Sequence, residues 1–449
     1  MTAHFPMRAQ PLEPASVSAP GRTATALDRT AYLVLCVFVF SIPWAENIPV
    51  WGRSLAIVIL GMVTIRTIIT GRVRKLSPLH YGMLALVAWS ALSILWTADS
   101  ESTIIRAGTY VQLLFVVWLI WELATTGDRM LGLLQSYVLG ALVCSFSTIG
   151  NFMIGRTSAQ LEADAGRTVF ETSRYSIAGL NANDLGLIIA LSLPMVFYLL
   201  ASPKGRLIKA LCWLQLVAGF IAVLLTGSRG SLLAAVVGLA MLPLTISRLP
   251  RWQRFVLLIA CASLVACGAY LVPLNIWQRI FSFGSEVSGG TLTHRTTIWT
   301  AGLEAFRDHA FLGVGSGAYG FTIVKAADFS YITGSAANGV AHNTFVSVLV
   351  ELGVVGALLL FALVAGLYYC AFQMRGLDRR LWIMLLLTWT VGVSALTWEY
   401  RKPTWLLFGL LAAQAYSQRR AGRAQPIFEI PPTRLRRMGY PVAGAVGRP

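Results

Sequence analysis

The sequence predicts an all-α integral membrane protein of roughly twelve transmembrane helices, and three observations carry this. Of its 449 residues, 56% are hydrophobic and only 12% charged, whereas soluble proteins run near 25% charged. Apolar stretches of ~20 residues, the length that crosses a ~30 Å hydrocarbon core, recur along the chain. The connections between them alternate between short basic segments and segments that hold most of the acidic residues.

In chain order, residues 1–28 are rich in Pro, Ala, Ser and Thr and lack the continuous apolar core of a cleavable signal peptide. They read as a disordered cytoplasmic terminus ahead of a first span that serves as an uncleaved insertion signal. A polytopic membrane domain follows over 29–418, with spans near 30–45, 54–70, 78–96, 104–122, 129–154, 183–202, 207–226, 230–247, 253–274, 343–372, 381–397 and 403–417. With the N-terminus inside, the cytoplasmic connections 71–77, 203–209, 247–254 and 373–380 are short and basic. The opposite connections are 46–53, 98–102, 155–182, 227–229, the long loop 275–341 between the ninth and tenth spans, and 399–402. A basic cytoplasmic tail over 419–449, with Arg434, Arg436 and Arg437, is suited to anionic headgroups. The formal charge of +17 is thus an orientation signal rather than a nucleic-acid footprint. The six cysteines all lie in apolar segments without CxxC pairing, which indicates packing residues and neither a disulfide framework nor a zinc site.

The groups with chemical potential concentrate in the outer connections. His342 opens His342-Asn343-x9-Gly353-x-x-Gly356. On a continuous helix from His342, at ~100° per residue, both glycines return to within about 40° of the histidine's face and leave a smooth surface for a neighbour. A histidine that merely caps a helix at the membrane surface is the plainer alternative. Arg229 lies in the short turn Thr226-Gly227-Ser228-Arg229-Gly230-Ser231; it either snorkels or meets an anion such as phosphate. Arg295 starts an amphipathic segment running to Asp308, which lies on the membrane or caps the cavity. The run Gly313-Val314-Gly315-Ser316-Gly317 lacks the context of a dinucleotide fingerprint or P-loop and reads as a flexible hinge. Arg167 and Arg174 lie in the interval 155–182, ahead of Asn181 and Asp184, where Asp184 either pairs with an arginine, holds a hydroxyl or serves as a cap. Glu351 should face the protein interior but lies nearly opposite His342, and Glu399, Tyr400 and Arg401 form either a local ion pair or a cavity rim. Nothing has the spacing of a metal-ligand set.

Together, Thr226-Gly227-Ser228-Arg229-Gly230, Arg295-x-x-x-Trp299, Gly313-Val314-Gly315-Ser316-Gly317 and the His342 to Gly356 pattern resemble the O-antigen ligase family of the O-antigen ligase and polymerase superfamily. The resemblance covers about 179 to 357; the first five spans match only in general topology. It implies a GT-C-type glycosyltransferase of the bacterial inner membrane, acting in lipopolysaccharide biosynthesis with its active site facing the periplasm. Such enzymes move O-antigen glycan from undecaprenyl diphosphate to a sugar hydroxyl of lipid A-core, with no metal, nucleotide or other cofactor. Carried over by position, Arg229 and Arg295 would bind the diphosphate and His342 would be catalytic. Arg167, Arg174 and Asn343 are further candidates for substrate contact. The implied partners are the undecaprenyl-diphosphate-linked O-antigen, lipid A-core and membrane lipids, and not nucleic acid. An O-antigen polymerase, a protein-glycosylating oligosaccharyltransferase and a lipid-linked sugar transporter are the competing readings.

Overall fold

The computed structural model describes residues 22–44, 49–164, 174–202, 205–239, 272–281, 295–321 and 339–424, with isolated positions between 251 and 270. Among them the regular structure is helical, without a strand. The helices are α1 (Arg22–Ser41), α2 (Pro49–Thr70), α3 (Pro78–Leu92) with a 3-10 turn at Ser93–Leu95, α4 (Ser100–Leu123), α5 (Gly127–Met153), α6 (Ser158–Asp164), α7 (Ala182–Ala201), α8 (Arg206–Leu225) and α9 (Arg229–Leu239). They continue with α10 (Leu274–Phe281), α11 (Arg295–Asp308), α12 (Thr344–Gln373), α13 (Gly376–Val393) and α14 (Lys402–Ala424).

Eight described helices, α1 to α5, α7, α8 and α12, are long and apolar enough to cross a membrane, where roughly twelve spans are expected from sequence. The chain is a multi-pass membrane protein. The shortfall has physical causes: α13 spends three of its 18 residues on Asp378, Arg379 and Arg380, and α14 is amphiphilic at both ends. α9 is described only to Leu239, and the expected span 253–274 falls almost wholly outside the described residues.

The centre of the bundle is α7, in which every residue from Leu185 to Leu200 is buried. It packs on α5, α8, α9 and α13, while α4 packs on α14 and α3 on α12. A helix apolar on all faces belongs in this position. By contrast α2 leaves Ile57, Val58, Ile65, Ile68 and Ile69 exposed, a surface compatible with hydrocarbon.

One end of the bundle gathers charges into closed pairs. Arg66 bonds Asp28 at 2.9 Å and also Glu122; Arg129 bonds the other oxygen of Asp28. Arg74 lies 3.8 Å over the Trp121 ring, and Asp378 accepts from Tyr198 and Gln418. These bonds draw Asp28 into the fold, so α1 begins at Arg22 instead of after residue 28. α14 likewise runs to Ala424, past the expected boundary at 418, and the remaining tail lies outside the described residues. The outer connections meet at the opposite end.

Candidate active site

The turn that carries Arg229 is built from small hydroxyl residues and glycine. Gly227 has φ 59, a left-handed value that turns the chain back between α8 and α9. Ser228 Oγ accepts the Ser231 amide at 3.3 Å, and Ser231 Oγ donates to the Asn183 carbonyl at 2.9 Å. Arg174 is buried beneath the turn, with Nε donating to the Thr226 carbonyl at 2.8 Å and Nη2 to Asn183 Oδ1 at 2.5 Å. Its guanidinium thus braces the turn, and Arg229 is half-buried as the first residue of α9. Arg167 lies outside the described residues. A Cβ on Gly230 would stand 2.7 Å from that of Ala395, so the 394–401 loop lies directly against this turn.

Arg295 is the first residue of α11, and it too is half-buried. α11 is fixed over the start of α12: Trp299 Nε1 donates to the Ala341 carbonyl at 2.7 Å, and Tyr319 donates to the Ile298 carbonyl at 3.0 Å. Ile298, Val314, Ala318, Tyr319, Ala341 and Val350 form a small core beneath it. These contacts seat one face of α11 on the start of α12, while Leu303 stays exposed.

His342 has φ 48, the one left-handed backbone among described non-glycine residues, a conformation that costs roughly 1–3 kcal/mol. α12 begins after it. Asn343 is the N-cap, its Oδ1 accepting from the amides of Phe345 at 2.9 Å and Val346 at 3.2 Å. That oxygen, expected on substrate, therefore fixes the helix start. Thr344 Oγ1 donates to the Leu396 carbonyl at 2.9 Å and accepts from the Trp398 amide at 2.8 Å, which clamps the helix start to the 394–401 loop.

Two expectations fail here. The continuous helix from His342 through both glycines does not exist, because Gly353 has φ 68 and ψ −169 and breaks α12. A second segment fills the break. The Val314 amide donates to the Val350 carbonyl at 3.0 Å, Gly315 to the Glu351 carbonyl at 2.9 Å, and Val354 to the Ala310 carbonyl at 2.8 Å. That segment is the glycine run expected to be a hinge. It is instead a docked wedge: Gly313, Gly315 and Gly317 all have positive φ, and Ser316 is buried on Ser90, Ser93 and Thr103. The glycines serve close backbone approach, which the same residues would also show in a mobile loop.

Below His342, Glu351, Glu399 and Tyr400 gather around Arg106, a residue that sequence reasoning missed. Arg106, one turn inside α4, reaches Glu399 at 3.2 Å and Glu351 at 3.7 Å, with its guanidinium 3.7 Å from the Tyr400 ring. Beside it Asp184 accepts from Trp398 Nε1 at 2.7 Å and Arg401 at 3.2 Å, the arginine pairing foreseen for Asp184. Glu351 does face the interior, at 3% exposure. Burial, with a contribution from Glu351 against the pull of Arg106, pushes the Glu399 carboxyl up to about 7. The available signal for Arg106 was an ionisable residue in an apolar span, which in a bundle must find a partner.

The site thus presents a strained, half-buried histidine ahead of α12, half-buried arginines as the first residues of α9 and α11, and an interior ion cluster that reaches α12 through Ser347 and Glu351. Helix N-termini with guanidinium groups favour an anion, and an imidazole can exchange a proton near neutral pH. Among the described residues no three His, Cys, Asp or Glu side chains converge as metal ligands.

Helices around a polar site at one end of the bundle define a class, a multi-pass membrane protein with a candidate anion-handling centre. Residues 214–361 match the family model described as O-Antigen ligase, an interval that contains all four motifs. Over this interval the chain is similar to the O-antigen ligase family. It is also similar to the exopolysaccharide production protein ExoQ of Rhizobium meliloti (strain 1021), 32% identical over 197 residues. That match spans 41% of this chain and 44% of the relative, less than half of either.

Proposed function

We propose that the protein is a glycosyltransferase that moves a glycan from undecaprenyl diphosphate to a sugar hydroxyl of lipid A-core, as an O-antigen ligase. The strained backbone at His342 carries the reading, because such a residue is held in place only by surroundings that over-determine it. Trp299 fixes the residue before His342, and Asn343 and Thr344 fix those after it.

In this reading Arg229 and Arg295 hold the donor's diphosphate. Negative charge grows on that group as the anomeric C–O bond breaks, and guanidinium groups already in place stabilise it in the transition state. They supply the charge that a divalent metal supplies in many diphosphate chemistries. His342 accepts the acceptor hydroxyl's proton as its oxygen attacks, a contribution of roughly 10²–10⁴-fold. Direct displacement inverts the anomeric centre. The basic connections at the far end, including Arg72, Arg74, Lys75, Arg379 and Arg380, support a cytoplasmic placement of that end and a periplasmic site in the inner membrane.

A second reading has its own support. The relative named for exopolysaccharide production favours a polymerase, in which the acceptor is another lipid-linked glycan. The test is to give the purified protein an undecaprenyl-diphosphate glycan with lipid A-core present and to identify the product. Glycan on the core supports the ligase. Longer lipid-linked chains on a bare core support the polymerase, and movement of donor across the bilayer without bond formation would leave the transporter.

A further inference from the structure

The Arg106 cluster lies outside the groups that the proposed reaction uses, and its charges do not balance. One guanidinium serves two buried carboxylates. Glu351 Oε2 accepts the Gly317 amide at 2.8 Å, and the one Ser347 hydroxyl proton is shared between Glu351 Oε1 at 3.4 Å and Glu399 Oε1. Glu399 Oε1 meets Arg106 at 3.2 Å and Ser347 Oγ at 3.2 Å, but its Oε2 is buried with no hydrogen-bond partner among the described residues. The groups facing Glu399 are Arg106 and Tyr110 from α4, Glu351 and Ser347 from α12, and Tyr400 in its own loop. Arg401, beyond Tyr400, pairs with Asp184. With both carboxylates ionised, the cluster would carry a net negative charge and a bare oxygen in dry protein, an arrangement that burial strongly disfavours. One proton on Glu399 leaves Arg106 and Glu351 as a neutral pair.

These residues also join the parts that place His342. Glu351 holds the glycine wedge through the Gly317 amide. Glu399 belongs to the 394–401 loop, whose Leu396 carbonyl and Trp398 amide clamp Thr344. Ser347, bridging both carboxylates, lies one turn below Asn343, whose carbonyl accepts its amide at 2.9 Å.

We propose that Glu399 is a positioning residue that works in its protonated form, and that ionising it loosens the 394–401 loop from α12 and with it the clamp that sets His342. The raised carboxyl places this change near neutrality. Glu399 touches no reacting atom. The activity consequence rests on the glycan-transfer reading; the stability consequence does not.

The test uses the full-length protein in nanodiscs, with transfer rate and thermal unfolding midpoint measured against pH for wild type, Glu399→Gln and Glu399→Ala. A carboxyl raised in the folded state stabilises fully below its unfolded value, and this stability is lost as pH rises through the folded value. The wild-type midpoint should therefore fall between about pH 5 and pH 7.5 and then level, while Glu399→Gln, neutral and of the same shape, stays flat across that window. The wild-type rate should fall on the alkaline side. Glu399→Gln should lack that fall and, at pH 6, recover to within about threefold of wild type what Glu399→Ala loses by more than about tenfold. Superimposed unfolding profiles of wild type and Glu399→Gln would overturn the proposal whatever the rates, as would a Gln variant as inactive as the Ala variant. If no preparation transfers glycan yet the unfolding profiles differ as stated, the glycan-transfer reading fails and the proton-holding cluster stands.

Discussion

Replacing Gly353 by alanine should unseat the wedge on which the site's floor depends. At φ 68 and ψ −169 this residue occupies a region essentially restricted to glycine, and a side chain there costs about 1–3 kcal/mol. The new Cβ would also press on the Phe311 carbonyl and stand 2.7 Å from the Gly313 amide nitrogen. Both are backbone atoms that no rotamer change can move. Relief requires parting the wedge from α12, with loss of the Val314–Val350, Gly315–Glu351 and Val354–Ala310 hydrogen bonds, each worth about 1 kcal/mol. The sum is roughly 4–6 kcal/mol. At Gly356 the backbone is not left-handed, but an added Cβ closes on the Cβ of Leu352, which side-chain rotation does not move, so Gly356→Ala should cost about 1–3 kcal/mol, less than Gly353→Ala. Denaturant unfolding in detergent compares the two. Equal losses, or a Gly353→Ala loss within about 0.5 kcal/mol of wild type, would refute the docked-wedge account.

Other outcomes follow from the same contacts. Asn343→Ala should cost about 1 kcal/mol as a lost N-cap and lower the transfer rate, whereas Asn343→Asp, which still caps, should keep most of it; the reverse order would return the side chain to substrate. Trp299→Phe removes the donor to the buried Ala341 carbonyl while keeping an aromatic ring, and should lower kcat about tenfold with a stability loss of about 1–3 kcal/mol. At the far end, Glu122→Ala leaves the buried Arg66 with Asp28 as its remaining carboxylate and should cost about 1–3 kcal/mol, with the residual folded protein transferring at the wild-type rate.

What was legible in the sequence follows from the range of each interaction. Span length and the basic connections are local composition, so α1 to α5, α7, α8 and α12 are found where hydropathy puts them. Arg229 and Arg295 stand at helix starts because turn residues and an amphipathic period announce those starts. The break at Gly353 was hidden, since a glycine in an apolar span reads as a close-packing position. Its partner, the Phe311–Gly315 segment, is remote in sequence. Arg106 was hidden for the same reason: its partners Glu351 and Glu399 are far along the chain, and only the fold selects them. Arg174 and Asn343 were expected as further candidates for substrate contact beside the motif residues. Their hydrogen bonds go to a turn and a helix start, because backbone groups there need partners before any ligand arrives.

The most direct test of the account is a donor-binding and single-turnover experiment with undecaprenyl-diphosphate glycan on wild type, His342→Ala and Arg229→Ala. The account predicts that His342→Ala binds donor as wild type does but transfers at least about 100-fold more slowly, while Arg229→Ala loses donor affinity. A His342→Ala protein that transfers at the wild-type rate, or an Arg229→Ala protein that binds donor undiminished, would contradict it.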